Sequence, residues 1–319
     1  MSEKILVTGA TGFVGSALVE RLLSCQEKQV VALVRQKEVS FPTEVLVSVV
    51  SEKGEFAELS FDDVKSIVHC AARVHIMNDR SVNPLADFRE VNVKFTLDLA
   101  RRAAEAGVKR FVFLSSIKVN GEETSPGFPF QADDIPAPVD PYGCSKMEAE
   151  QGLRRISEEL GIEVVIIRPV LVYGPGVKAN FRSMMNWLDK GFPLPFGAIQ
   201  NKRSLVSLDN LVDLIITCLD HPGAANQIFM VSDGEDVSTT DLLIKMGNAL
   251  GKPARLIPIP SMFINVGAVL SGRRDLARRL NGSLQVDIQK TRKLLDWSPI
   301  ESLDEGLVKV AKDFRSGSN

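Results

Sequence analysis

The chain has 319 residues, 24% of them charged and 45% hydrophobic, with 38 Lys and Arg set against 40 Asp and Glu. A formal net charge of −2 gives no footprint for nucleic acid, and the length suffices for a large core divided between two unequal lobes. The four cysteines (Cys25, Cys70, Cys144, Cys218) lack C-x-x-C spacing and the three histidines (His69, His75, His221) do not cluster, so no metal site or disulfide framework is expected and a reducing cytoplasm is the expected compartment.

The N-terminus enters a predicted strand almost at once, which leaves no room for a signal peptide, and no apolar run reaches the ~18 residues that span a bilayer. That first strand, Lys4 to Thr8, has four apolar or β-branched residues in a row, the pattern of a strand buried on both faces of a parallel sheet. Gly9, Gly12 and Gly15 follow at spacings of three and three, and a helical pattern begins behind them. Strand, glycine turn and helix start bring free backbone N–H groups and the positive end of a helix dipole to one point, which suits a pyrophosphate. Gly9, Thr11, Gly12, Phe13, Val14 and Gly15 are therefore the expected dinucleotide cradle, although the spacing departs from G-x-G-x-x-G.

Gln29 to Arg35 is the predicted second strand. At its end, where an acidic residue would bind the ribose hydroxyls of NAD, stand Val34 and Arg35. A guanidinium there can pair with a 2′-phosphate, which favours NADP(H), with NAD as the alternative; a solvated surface arginine is the plain reading. Val45 to Val50 is the third strand and Lys65 to Ala72 the fourth, whose small terminal residues Ala71 and Ala72 let a ligand approach the backbone. His69 reads as packed. A long helix is predicted over Asp87 to Ala106, ended by Gly107, and a fifth strand over Lys109 to Leu114 runs into Ser115-Ser116. Alternating strands and helices predict a doubly wound parallel sheet of Rossmann type, residues 1–172, with a smaller C-terminal α/β substrate lobe, residues 173–319, some of whose elements return to the first unit.

Ligands in such sheets bind beyond the carboxyl ends of the strands, where Ser116 lies. After a Pro-, Gly- and Asp-rich loop, Pro141-Tyr142-Gly143-Cys144-Ser145-Lys146 opens another helix. Tyr142 and Lys146, four apart, share a helix face. An adjacent ammonium would lower the tyrosine pKa from ~10 toward neutrality and make it a usable acid or base; the same spacing also occurs in surface pairs.

These residues, together with Ala71-Ala72, Asn92 and Ser115-Ser116, resemble the extended short-chain dehydrogenase/reductase family. Arg168-Pro169-Val170-Leu171-Val172-Tyr173-Gly174-Pro175, Arg203 to Leu211, and Asp287 to Pro299 resemble three further family segments in the right order. The branch it most resembles comprises the nucleotide-sugar 4-epimerases, 4,6-dehydratases and 4-keto reductases.

The resemblance implies that Tyr142 exchanges a proton with the sugar oxygen, Ser116 hydrogen-bonds that oxygen, Lys146 holds the nicotinamide ribose, and Asn92 orders the surroundings of the lysine. Pro169 would join the cofactor site, and Arg203 and Asn180 would meet the substrate diphosphate. It further implies a homodimer built on Asp87 to Ala106 and Tyr142 to Leu160. Where sugar epimerases often carry Val-Tyr-Gly, this chain has Val119-Asn120-Gly121, preceded by Lys118, a candidate substrate contact or a solvated side chain. The apolar stretch Met262 to Leu270 and the cluster Arg273, Arg274, Arg278 and Arg279 read as a core helix followed by phosphate-binding arginines, or as a membrane-surface segment. The expected activity is NADPH reduction of a UDP-4-keto-6-deoxy-N-acetylhexosamine in polysaccharide biosynthesis. The alternatives are an NAD-dependent 4-epimerase of a UDP-hexose or a UDP- or lipid-linked N-acetylhexosamine, and a non-catalytic dinucleotide sensor.

Overall fold

The computed structural model describes residues 3–25, 28–35, 39–50, 59–74, 83–260, 262–264 and 280–317. His75 and all of the 262–279 stretch except Met262, Phe263 and Ile264 therefore lie outside the described residues, and Met262 and Phe263 are exposed.

Seven parallel strands form the main sheet: β1 (Lys4–Thr8), β2 (Gln29–Val34), β3 (Leu46–Val49), β4 (Val64–His69), β5 (Arg110–Leu114), β6 (Glu163–Pro169) and β9 (Ile228–Val231). Their spatial order is β3-β2-β1-β4-β5-β6-β9. β1 and β4 are neighbours, with Thr8 opposite His69, and the connections diverge to either side of that pair. This reversal opens a crevice at the carboxyl ends of the two strands. Strand interiors such as Ile5, Leu6, Val7, Ile67, Val68, Phe111 and Val112 are buried because helices cover both faces, as their uninterrupted apolar runs require.

Helix α1 (Phe13–Cys25) starts directly behind the glycine turn. The long helix expected over residues 87–106 begins earlier, at α2 (Pro84–Arg89), where Asn83 caps the N-terminus through a 3.2 Å bond from the Ala86 N–H. It then passes through a π-helical turn, Glu90–Lys94, into α3 (Phe95–Glu105). A turn of this kind inserts one residue into an α-helix and rotates the remainder of the helix about its axis, and such turns concentrate at functional sites. Here the turn buries Asn92 while Glu90 and Lys94 stay exposed. α4 (Pro141–Leu160) is capped by Asp140, which accepts a 2.6 Å bond from the Gly143 N–H, and is stopped by Gly161 at φ 77°.

A second sheet joins β7 (Leu171–Tyr173), β8 (Arg203–Ser207) and β10 (Asp236–Val237) in the order β10-β8-β7. With α5 (Ala179–Asp189), α7 (Thr239–Ala249) and α9 (Leu303–Ser316) it encloses a separate core that includes Tyr173, Phe181, Leu205, Met246 and Leu307. α6 (Leu208–Asp220) and α8 (Gln289–Leu295) contribute Leu211, Ile215 and Leu295 to the first core, so the chain crosses between the two units more than once. No helix of the described residues is long and apolar enough to cross a membrane.

Candidate active site

The glycine turn is built for close approach. Gly9 has φ +65°, and a Cβ there would lie 2.7 Å from the Ala71 N; a Cβ on Gly15 would lie 2.1 Å from the Gly9 O. Neither position admits a side chain, so α1 starts hard against the strand end, and Thr11 and Gly12 remain exposed at the rim. Phe13, Val14 and Gly15 form the first helical turn, whose N–H groups have no intrahelical partner. Ala71 and Ala72, half-buried at the end of β4, form the facing wall. Arg35 is exposed immediately after β2, the strand beside β1. Pro169 is buried at the end of β6. A Cβ at Gly9 or Gly15 would strike the backbone of Ala71 or Gly9, so only glycine lets the helix start pack this close to the strand end, where its free N–H groups are the donors a dinucleotide pyrophosphate needs.

Across the crevice, Ser116 follows β5 and caps a 3₁₀ turn, Ile117–Val119, by accepting a 3.2 Å bond from the Lys118 N–H. Its side chain also reaches the phenol of Tyr142, in the first turn of α4, in the sense that favours the phenolate. Burial raises the Tyr142 pKa, the negative charge of Asp140 adds to the rise, and the phenol is pushed up to about 12 despite the Ser116 contact. The residue as a whole is only half-buried.

Lys146 does not pull the phenol down as the helical spacing predicts. Only 1% exposed, it donates a 2.8 Å bond to the Leu114 carbonyl and lies 4.4 Å from the centroid of the Phe113 ring. Burial lowers its pKa to about 8. The ammonium therefore answers a backbone carbonyl of β5 rather than the tyrosine, although Ser116, Tyr142 and Lys146 gather on one side of the crevice.

Asn92, fully buried, makes three hydrogen bonds, with both amide hydrogens and the carbonyl oxygen engaged. Its Oδ1 accepts from the Arg73 N–H at 2.8 Å, and its Nδ2 donates to the Arg73 carbonyl at 3.0 Å and to Ser145 Oγ at 3.0 Å. Ser145 Oγ in turn donates to the Tyr142 carbonyl at 2.8 Å. Asn92 thus ties the end of β4 to the first turn of α4 and acts on the lysine's neighbour, not on the lysine.

A model of the NAD dependent epimerase/dehydratase family matches residues 5–232. The chain belongs to that family. It is 49% identical to a UDP-glucose 4-epimerase of Vibrio cholerae over 322 residues, covering 100% of this chain and 98% of the relative. It is 31% identical to a UDP-glucose 4-epimerase of Mycolicibacterium smegmatis, covering 99% of each. The crystal structure of a UDP-N-acetylglucosamine 4-epimerase from Bacillus cereus superimposes with a TM-score of 0.78 over 98% of this chain and 100% of that one, at 22% identity, a likeness of fold.

Among the residues assigned to substrate, this epimerase/dehydratase chain holds Lys118 between Glu122 and Asp140, at 2.5 and 3.0 Å. Arg203, half-buried at the start of β8, donates to the Gly282 carbonyl at 3.0 Å and so sits beside the segment beyond residue 279. Asn180 lies in the first turn of α5, in the second unit.

Sequence reasoning missed the buried group beneath the serines. Arg168 pairs with Glu150 through two bonds, at 3.0 and 2.5 Å, and with Asn120 Oδ1 at 2.9 Å; Ser115 Oγ donates to Glu150 at 2.5 Å. The signal lay in the R-P-x-x-x-Y-G-P segment, read as a motif without a partner for its arginine. Tyr173 of the same segment donates to Asp233 at 2.8 Å, and Asn210 and the Ser207 N–H also bond that carboxylate, each at 2.7 Å. Burial raises the pKa of both Tyr173 and Asp233. Among the described residues no group of His, Cys, Asp and Glu could hold a metal ion.

Proposed function

We propose that this chain is an NAD-dependent 4-epimerase of a UDP-hexose or UDP-N-acetylhexosamine. The carrying observation is Ser116 against the Tyr142 phenol, across a crevice from a glycine cradle in which no Cβ fits. The 49% identity to a UDP-glucose 4-epimerase over the entire chain supports the epimerase reading over the net reduction expected from sequence.

NAD held at the Gly9–Gly15 turn and by Lys146 would supply reversible hydride transfer at the sugar C4. The chain's own residues move the proton. Tyr142 Oη takes the C4 hydroxyl proton as the C4–H bond breaks and gives it back as that bond re-forms, so no net oxidation results. Ser116 Oγ donates to the same oxygen. Lys146, with its pKa lowered by burial, presents a cation beside the tyrosine for the ribose hydroxyls. Burial and Asp140 raise the phenol's pKa to about 12, so the proton transfer relies on the Ser116 contact, which favours the phenolate. The second unit, with Arg203 and α5, would receive the nucleotide diphosphate. A homodimer through α2, α3 and α4 fits this reading.

One observation favours a second reading, net reduction of a 4-keto sugar by NADPH: Arg35 stands exposed where the ribose-binding acid of NAD proteins would be. Mass spectrometry of the cofactor that co-purifies distinguishes the two. Stoichiometric NAD supports the epimerase, whereas protein that retains no cofactor and binds NADPH on addition supports the reductase.

A further inference from the structure

His69 is a fully buried titratable group beside the site for which the acid–base scheme has no use. It is 0% exposed and is packed among Phe95, Phe111 and Phe113, with ring centroids 5.7 to 5.9 Å away. Both ring nitrogens are nonetheless bonded: Nδ1 to Thr8 Oγ1 at 2.8 Å and Nε2 to Thr96 Oγ1 at 2.9 Å.

The directions of these bonds come from counting hydrogens. Thr96 Oγ1 spends its only hydrogen on the Asn92 carbonyl at 2.9 Å, so His69 Nε2 must carry a proton and donate to Thr96. In a neutral ring Nδ1 is then an acceptor, and Thr8 donates to it. The other side of Thr8 Oγ1 accepts the Ala71 N–H at 3.1 Å. One uninterrupted series results, from the Ala71 N–H through Thr8, His69 and Thr96 to the Asn92 backbone. The Asn92 side chain continues through Ser145 to the Tyr142 carbonyl. Thr8 directly precedes Gly9, and Ala71 is the residue against which Gly9 is packed. The two ends of the series are the cofactor cradle and the first turn of α4.

We propose that His69 is a positioning residue that, through Thr8 and Thr96, couples occupation of the glycine cradle to the rigidity of the α4 turn bearing Tyr142 and Lys146. This rests on the role given to Tyr142 above. A fully satisfied buried network has one low-energy arrangement, and loss of any member leaves a donor or acceptor unpaired in a dry interior. Fixing the turn after Thr8 from one side therefore restricts the peptides tied to Asn92 on the other. A residue that merely filled space between the phenylalanines would transmit nothing, because its neighbours could relax independently.

The probe is ADP, which can occupy the glycine cradle but carries no nicotinamide to place at Tyr142. Amide hydrogen exchange over residues 141–147 would be compared with and without ADP in the full chain, with ADP binding measured by calorimetry. In the wild type, ADP is expected to slow exchange in this segment about threefold or more. Thr96→Ser, which keeps the hydroxyl, is expected to retain the effect. Thr96→Val, similar in shape but without the hydroxyl, is expected to lose it while still binding ADP. If Thr96→Val does not fold, Thr8→Val against Thr8→Ser makes the same comparison from the other end. Equal slowing in the valine and serine variants, or no slowing in the wild type, overturns the proposal. Turnover plays no part in this readout, so a chain that proves not to be an epimerase would leave its result standing.

Discussion

Ser115 and Ser116, consecutive at the end of β5, send their hydroxyls to different partners: Ser115 bonds the buried carboxylate of Glu150, and Ser116 reaches the phenol of Tyr142. Glu150 lies on α4, two turns beyond Tyr142, and is clamped by Arg168 from β6. Ser116, proposed above to bond the substrate oxygen, thus follows a residue anchored by an ion pair in which both side chains are less than 5% exposed.

Removing one member of this pair should cost far more than a surface ion pair. Arg168→Ala leaves Glu150 charged and buried with only the Ser115 hydroxyl, and losses of that kind run to about 3–5 kcal/mol. Urea denaturation of wild type and variant measures the difference. A change below about 1 kcal/mol would show that the carboxylate finds water or a proton at little cost.

Tyr142→Phe keeps the ring, which packs edge-on against Phe88 at 6.0 Å between centroids, and removes only the hydroxyl. Turnover should fall by ~100-fold or more with cofactor binding retained. A variant with near-normal kcat would exclude the tyrosine as proton carrier.

The first five strands of the parallel sheet, the glycine turn and the helix opening at Pro141 were legible because each depends on local pattern: apolar runs, glycine spacing, and a proline at a helix start. What the sequence concealed was set by contacts between distant residues. Helical spacing places Tyr142 and Lys146 on one face, but the Leu114 carbonyl, from a different strand, decides where the ammonium goes. Lys118 looked available to substrate, and two carboxylates, one of them 22 residues away, take it up. β9 joins the main sheet from within the second half of the chain, a pairing that no local pattern announces. Asn92 was recognised from the family pattern, yet the π-turn that turns it inward has no sequence signature of its own.

His69 should make the fold sensitive to mild acid. Burial, aided by the charge of Lys146, lowers its pKa to about 3 from 6.5, so below pH 6.5 the unfolded chain binds a proton that the folded chain refuses. The stability contributed by the neutral ring is complete above pH 6.5 and is lost as the pH falls toward 3. Between pH 6 and 4 the slope from this one group approaches about 1.4 kcal/mol per pH unit. Urea unfolding over this range should give a shallower slope for His69→Phe than for wild type, and parallel slopes would refute the assignment.

Arg35 tests the cofactor preference separately. If its guanidinium meets a 2′-phosphate, NADPH should bind about tenfold or more tightly than NADH, and Arg35→Ala should erase most of the difference. If the residue is merely solvated at the strand end, both cofactors should be unaffected by the substitution. The epimerase reading requires firm retention of NAD in either case.

The most direct measurement is to supply purified protein with UDP-glucose, and separately with UDP-N-acetylglucosamine, with no nicotinamide cofactor added, and to follow the sugar by proton NMR. Because the hydride removed from C4 is returned within one catalytic cycle, the account predicts that the C4 epimer accumulates to equilibrium over many turnovers from the cofactor the protein already carries. No epimer from either sugar, together with stoichiometric consumption of NADPH on a UDP-4-keto-6-deoxy-N-acetylhexosamine, would contradict it.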